Sequence, residues 1–597
     1  MHFLESFSSN DVILEILCKL RVKLAHRRNK NHLIHLHTTD REKNYHTKPI
    51  TESDELLCRL FPPRKKWKTV LKHLRVKEGV ALNTSEKTLL SLRATIKYYQ
   101  RTEPTAIFLI CLNNFIKDIQ IALHESGYKI GSPVIFPKLK ADKVSLTNKN
   151  ECRPIASFGL RDKIILSITN KYLTAIFDPF FIDRSYAFRC KRQIEGIEKC
   201  PTHHDPVEEI LAYRKKYNDS NLFVAECDMK KFFDTVNHSI IKKEFKKFFD
   251  LKQLSEYPEA DIQNAKRILY DYLDGYTFNR SVLPLNDIKT HFDKFCISNG
   301  EYGWVKEELI SNGYYKRIAS AKIGIPQGGA LSGLIANVVL HGVDKQVSRK
   351  KDVDLLYVRF CDDMLIIHPN KDKCSAAFER YRLGVSSKKL IIHKPEETPY
   401  LERTDFWKNK TKSCYIWGSN YGVGSPWIGF VGYEIHHKGY LRVRKSSLIN
   451  EMKKQFTVVS ELIHILKSPY CRSSGNTIYE SVVNRLIGMS VGRVNLWNYE
   501  YIKNELCWTS GYRLLTDNKY SRIQLKRLDS SRNQLLFKLR KKIRETNAVE
   551  NKDEFEETEN IKPIEQIYYG SPFSYYFQKL KNTPDLDSNA SQNTLSQ

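Results

Sequence analysis

None of the 13 cysteines, scattered from Cys18 to Cys507, belongs to a Cys-x-x-Cys pair. That absence argues against a zinc ribbon and a disulfide framework, and it predicts reduced thiols in a cytoplasmic setting. Long apolar runs are missing as well: no stretch approaches the roughly 18 uninterrupted apolar residues of a membrane span. The start, Met1-His-Phe-Leu-Glu-Ser, has no basic segment leading into an apolar one, so no secretory signal and no membrane partner are expected. There is no internal repeat. Acid is in short supply: Lys+Arg number 97 against 68 Asp+Glu, a surplus of 29. Such a surplus implies a polyanionic partner, nucleic acid first, although charge alone predicts attraction to phosphate and not chemistry.

What is present fills several domains. A length of 597 residues, 41% hydrophobic and 11% aromatic, supports about four domain-sized units with packed cores. The chain is organised around Leu355 to His368, Leu-Leu-Tyr-Val-Arg-Phe-Cys-Asp-Asp-Met-Leu-Ile-Ile-His. Two strand-like apolar runs flank adjacent carboxylates, which predicts a β-hairpin with Asp362 and Asp363 emerging at its bend. Side-by-side anions repel unless a cation separates them, and Mg²⁺ or Mn²⁺ with oxygen ligands is the natural partner. An ordinary surface turn is the bland alternative, since Asp favours turns. A second apolar run, Asn221-Leu-Phe-Val-Ala-Glu-Cys, leads into Asp228 and predicts an acid at a strand end, with a helix N-cap as its alternative. Carboxylates from two neighbouring strands could hold two metal ions about 3.5 to 4 Å apart, the spacing that phosphoryl transfer uses.

Residues 1–130 read as a helical, basic N-terminal extension, with helical spacing from Val12 to Leu20 and from Ala106 to Leu112. His32, His35, His37 and His46 lack partner cysteines and a metal-ligand spacing, so a solvated basic face is expected there. Residues 131–220 turn to short strands broken by Pro and Gly, then a helix from Lys163 to Leu173. Arg153 sits on a strand beside Pro154, a rigid setting that could aim a guanidinium at phosphate. The segment from about 245 to 320 carries few signals. Gly324-Ile-Pro-Gln-Gly-Gly-Ala-Leu-Ser precedes a helix, where glycines let backbone amides approach a phosphate or nucleotide sugar. From about 445 the chain is helical and basic. Ile523, Leu525, Leu528, Leu535, Leu539 and Ile543 fall near one face of a helix between Lys519 and Glu545, and core packing or a nucleic-acid grip would both use that stripe. Residues 546–597 read as an acidic and polar flexible tail with a short ordered segment.

In this order the motifs resemble the reverse transcriptases, most closely the group II intron-like bacterial branch and its phage-defence relatives, over residues 131 to 440. Arg153-Pro-Ile and Ser185-Tyr-Ala-Phe-Arg189 look like the family's fingers motifs. Asp228-Met-Lys-Lys-Phe-Phe-Asp resembles motif A, Gly324 to Ser332 motif B, and Phe360-Cys-Asp-Asp motif C. Ile428-Gly-Phe-Val-Gly-Tyr resembles the primer-grip strand. The resemblance implies an α+β right-hand polymerase with fingers (131–220), a palm with an antiparallel sheet and an inserted fingers segment (221–440), and a helical thumb (441–545). It implies Asp228, Asp362 and Asp363 as catalytic metal ligands for two Mg²⁺, with Mn²⁺ the alternative. Phe233 falls where the family keeps a ring that excludes a 2′-hydroxyl, so dNTPs are the expected substrates. Gln327, Gly328 and Gly329 would line the nucleotide and template base, and Arg153 would meet the triphosphate. Phe360 replaces the usual tyrosine, Gly333 stands where intron-type enzymes commonly have proline, and Glu397 holds the place of the usual motif D lysine, with Lys394 nearby.

The leading expectation is an RNA-directed DNA polymerase of bacterial antiphage defence. It would take an RNA template, a dedicated noncoding RNA being one candidate, and release a DNA product. A companion defence protein or a second copy of the chain is the expected further partner. An intron maturase-like RNA-binding protein is the runner-up, and no zinc-type endonuclease module is read after the thumb. Template-independent synthesis primed from a protein hydroxyl is the third reading, and 32 tyrosines offer no single candidate primer.

Overall fold

The computed structural model describes residues 6–28, 32–38, 51–77, 80–124, 127–140, 148–190, 192–194, 197–218, 220–349, 352–395, 409–418, 424–492, 507–550 and 571–574. His46, Glu397 and most of the C-terminal tail lie outside them. The N-terminal part is helical, with α1 (Asn10–Arg28), α2 (His32–His37), α3 (Thr84–Thr102) and α4 (Ile107–His124). α3 starts at a capping box, in which the Asn83 side chain accepts from the Glu86 amide and the Glu86 carboxylate accepts from the Asn83 amide. α4 buries Leu109, Leu112, Phe115, Ile116, Ile119 and Leu123 at helical spacing, in one core with α1 and the palm helices. Run-counting missed a property of α4: despite Asn113, Asn114, Lys117 and Asp118, its length and mean hydropathy of 1.3 match those of a membrane-crossing helix, and 39% of that window is buried inside the fold.

β1 (Val134–Leu139) and β2 (Asn150–Ser157) pair antiparallel, with Phe136 opposite Ile155. α5 (Leu160–Phe177) is the helix expected after them. β3 (Leu222–Cys227) is followed by α6 (His238–Phe249) and α7 (Glu259–Asp274). The stretch from 275 to 321, almost silent in the sequence, folds back onto the fingers. Its strand β4 (Gly300–Glu301) extends β2 in parallel, and Phe278, Val282, Phe292 and Tyr302 pack with Ile135 and Ala156.

The palm sheet is completed by α8 (Ser332–Ser348), β5 (Leu356–Phe360), β6 (Asp363–His368), α9 (Lys371–Ser387), β7 (Lys412–Trp417) and β8 (Gly424–Ser425). Strand order is β8-β7-β3-β6-β5, antiparallel except for the β7/β8 pair. Ala225, Cys227, Met364 and Ile366 face the helical core, while Leu222, Val224, Leu365 and Ile367 face a second core. Both faces are therefore dry, which is why these strands read as continuous apolar runs instead of alternating ones.

The second core includes the three-stranded sheet of β9 (Trp427–Phe430), β10 (Tyr433–His436) and β11 (Leu441–Val443). Helices α10 (Lys445–Leu466), α11 (Gly475–Val491) and α12 (Lys519–Glu550) form the thumb around Val459, Leu462, Val482, Leu486, Leu535 and Leu539. Ile34 of α2 joins that thumb core, and the Arg472 amide donates to His37 O at 3.0 Å. His37 is consequently buried among thumb residues, contrary to the solvated face expected of its segment. The molecule is a right-hand polymerase fold of mixed helix and sheet.

Candidate active site

The hairpin forms as expected, with one correction to its tip. Cys361 and Asp362 make the two-residue turn, while Asp363 is already the first residue of β6, paired with Phe360. Only the first turn position, Cys361, has a left-handed φ, 61°. Glycine is the usual occupant of such a position, so a nearly buried cysteine there stores backbone strain at the site.

The strain is held by a buried charge network. Arg359, 0% exposed, pairs with Asp344 of α8, 1% exposed, at 2.6 Å. Its Nη1 donates to Cys361 O at 2.9 Å, and its Nη2 to Ser185 Oγ at 2.8 Å. Tyr357 OH donates to Asp344 at 2.5 Å. The fingers-like residue Ser185 thus anchors the hairpin, and Arg189 serves structure too, pairing with Asp178 at 2.7 Å.

β3 lies beside β6, with Cys227 opposite Met364, so Asp228 leaves its strand next to Asp362 and Asp363. Its backbone is pinned: the Asp228 amide donates to Thr411 Oγ1 at 3.1 Å, and the His393 amide donates to Asp228 O at 3.2 Å. Burial, then the charges of Asp362 and Asp228, pushes the Asp363 carboxyl up to about 7. Asp362 is raised by burial and by Asp228. This is excess negative charge in hard oxygen donors, the donor set that suits Mg²⁺. Among the described residues no three His, Cys, Asp or Glu side chains close a metal shell by themselves. Ions held here would share one or two carboxylates with phosphate and water, as Mg²⁺ usually does.

Two residues near Asp228, a lysine and a histidine, escaped sequence reading. Lys410 Nζ lies 2.7 Å from Asp228 Oδ2 and His393 Nε2 3.6 Å from it. Lys410 sits far along the chain from motif A, just before β7, and no local pattern marks it. Burial and then Lys410 lower the His393 pKa.

A cleft of about 1660 Å³ gathers Arg153, Asp228, Phe233, Gln327, Asp362 and Asp363 on one wall system with Arg442, Arg444 and Arg527. Gly328 and Gly329 do not line it. Gly328 supplies a φ of +90°, and a Cβ on Gly329 would come 1.9 Å from the Tyr272 hydroxyl, so both shape the loop from behind. Gly333 has a comparable reason: the Phe188 ring fills the space a side chain would need, 2.4 Å from an added Cβ. The α12 stripe divides between its two readings: Leu525, Leu528, Leu535, Leu539 and Ile543 are buried in the core, whereas Ile523 is 64% exposed and lines the cleft.

Gln327 Nε2 donates to Asp234 Oδ1 at 2.7 Å and ties the glycine-rich loop to motif A. Burial drives Asp234 up to about 6. A raised carboxylate pKa favours the protonated form in the fold, so that stability is full below the unfolded value and is lost as pH rises through about 6. Asp234→Asn keeps the acceptor and removes the charge. Its stability advantage should be small near pH 4 and grow to about 3 kcal/mol by pH 7 in urea titrations. An advantage independent of pH would refute the buried-charge account.

The fold and acids define a polymerase palm, and comparison with known proteins narrows the class. Residues 283–396 match the family described as "Reverse transcriptase (RNA-dependent DNA polymerase)", a stretch that contains Gln327, Asp362 and Asp363 but not Asp228. The chain is 33% identical over 196 residues to the "Putative COX1/OXI3 intron 1 protein" of Saccharomyces cerevisiae, covering 33% of this chain and 16% of that protein. It is 24% identical over 208 residues to the "Group II intron-encoded protein LtrA" of Lactococcus lactis subsp. cremoris, covering 35% and 25%. The matched parts thus span a quarter or less of these relatives. Among solved structures, apo telomerase from Candida tropicalis aligns at 12% identity and a TM-score of 0.35, covering 84% of each chain. Residues 283–396 are thus similar to a reverse-transcriptase domain.

Proposed function

We propose that the protein is an RNA-directed DNA polymerase that adds dNTPs to a 3′-hydroxyl. The observation that carries this reading is the convergence of Asp228, Asp362 and Asp363 from adjacent antiparallel strands into a cleft otherwise rich in Lys and Arg. A basic groove built only for binding has no use for three acids set against one another, even with Lys410 beside Asp228. Asp228, Asp362 and Asp363 would hold two divalent ions, which supply activation of the attacking oxygen and charge neutralisation at the leaving pyrophosphate. Arg153 faces the cleft from β2 to meet phosphate, and Gln327, fixed by Asp234, borders the place of the base. Arg442, Arg444 and Arg527 offer charge to the backbone of a template and product.

The test is extension of a DNA primer on an RNA template by the full chain with dNTPs and Mg²⁺. No incorporation with any primed template would overturn the reading. Phe233 lines the cleft five residues after Asp228, and its ring would stand against the sugar. Phe233→Ala should raise ribonucleotide incorporation relative to deoxynucleotide at least about tenfold, the scale of steric discrimination by one pocket contact. Unchanged sugar selectivity would remove Phe233 from that role.

A setting in bacterial antiphage defence rests on the motif resemblance, and sequencing the nucleic acid that copurifies with the chain tests it. The intron-encoded relatives favour a second reading, an intron maturase-like RNA-binding protein. RNA capture that survives loss of Asp362, without dNTP incorporation by the wild-type chain, would favour it.

A further inference from the structure

Three residues past Asp228, Lys231 has a left-handed backbone, φ 52°, which an unbranched charged residue rarely adopts. Its ammonium pairs with Glu151 of β2 and donates to Gly303 O at 2.8 Å. Lys140 reaches the same carboxylate at 2.8 Å. Gly303 makes room for the arrangement, since a Cβ there would lie 3.1 Å from Glu151 Oε1 and 3.5 Å from Lys231 Nζ. Alternation along β2 sets Glu151 on the same face as Arg153, and all four charged side chains line the cleft beside Phe233 and Gln327.

Stability does not account for this cluster. The Glu151 side chain is 47% exposed against 17% for Lys231 and 27% for Lys140, and such half-exposed ion pairs return little, no more than left-handed backbone at a lysine costs. Its position gives a better account. A carboxylate gripped by two ammoniums, on the wall shared with Asp228, the ring of Phe233 and the amide of Gln327, occupies a place suited to another anion. We propose that Lys140 and Lys231 receive the terminal phosphates of the incoming nucleotide and that Glu151 is the resident anion those phosphates displace. This rests on the polymerase reading and adds to it a subsite and its internal competitor.

The consequence runs against a simple salt-bridge role. Glu151→Gln should tighten substrate binding, lowering the dNTP KM several-fold. Lys231→Gly suits the backbone and should melt no lower than wild type, yet raise KM about tenfold, the scale of one charge-assisted hydrogen bond, with a smaller effect on kcat. Lys231→Arg should restore most of the affinity. The measurements are single-nucleotide incorporation kinetics on a primed template, with calorimetric titration of inorganic triphosphate in Mg²⁺ that needs no turnover. A KM for Glu151→Gln equal to or above wild type, or equal triphosphate affinity in wild type, Glu151→Gln and Lys231→Gly, overturns the proposal. If the wild-type chain incorporates nothing, the polymerase reading falls and the triphosphate titration alone decides the subsite. Weaker binding by Lys231→Gly and tighter binding by Glu151→Gln then sustain it.

Discussion

Replacing Asp362 by alanine is expected to reduce nucleotide incorporation by more than about a thousandfold, roughly 4 kcal/mol of transition-state stabilisation. Asp362 stands in the turn between β5 and β6, and neither Asp228, held through its backbone to Thr411 and His393, nor Asp363, paired in β6, can move to replace it. The same change should not cost the fold. Burial and Asp228 already disfavour the charged Asp362 carboxylate, so its removal relieves repulsion. Primer extension paired with a thermal melt separates the two effects. Full activity in the variant would sink the metal-ligand assignment, and lost activity with lost folding would leave catalysis unsupported by this residue.

Arg359→Met should destabilise the protein by about 3–5 kcal/mol, the cost of leaving one partner of a buried ion pair alone. That is a large part of the roughly 5–15 kcal/mol by which domains are stable. Asp344 is the partner, and it would keep only Tyr357 and the surrounding dipoles. The double variant Arg359→Met/Asp344→Leu removes both charges and should recover much of the loss, since apolar groups of similar volume replace such pairs at little cost. Urea midpoints of the two single variants and the double variant give the coupling. If the double variant falls as far as Arg359→Met, isolation of Asp344 is not the cause. Recovered stability without recovered activity would point to the lost bond to Cys361 O, which steadies the turn that carries Asp362.

What was legible in the sequence was local. The apolar runs at 222–227 and 355–368, the acids at their ends and the helical spacing in 106–112, 163–173 and 523–543 all follow from patterns of a few residues, and the structure forms the strands and helices they imply. Asp363 was misplaced by one position because the turn takes Cys361 into left-handed backbone, which a cysteine does not advertise. Lys410, His393 and Glu151 were missed because each meets its partner across a long stretch of chain, and an isolated charge looks the same whether solvated or aimed at a site. The 275–321 segment was opaque for a related reason. Its buried aromatics and aliphatics are spread over irregular turns and short helices, with no period to detect until β4 joins the fingers.

The palm sheet also sets the order in which the site can come into being. β5 and β6 are a tight hairpin that local chain can close, but Asp228 arrives by pairing Cys227 with Met364, and β3 gains its other neighbour only when Leu222 meets Trp417. Such distant pairings close late, because loop entropy must be overcome before they are rewarded. During synthesis the three acids therefore stay apart at least until the chain beyond 368 has left the ribosome. A chain that ends before that point carries the Lys140 and Arg153 side of the cleft without the carboxylate set that completes it.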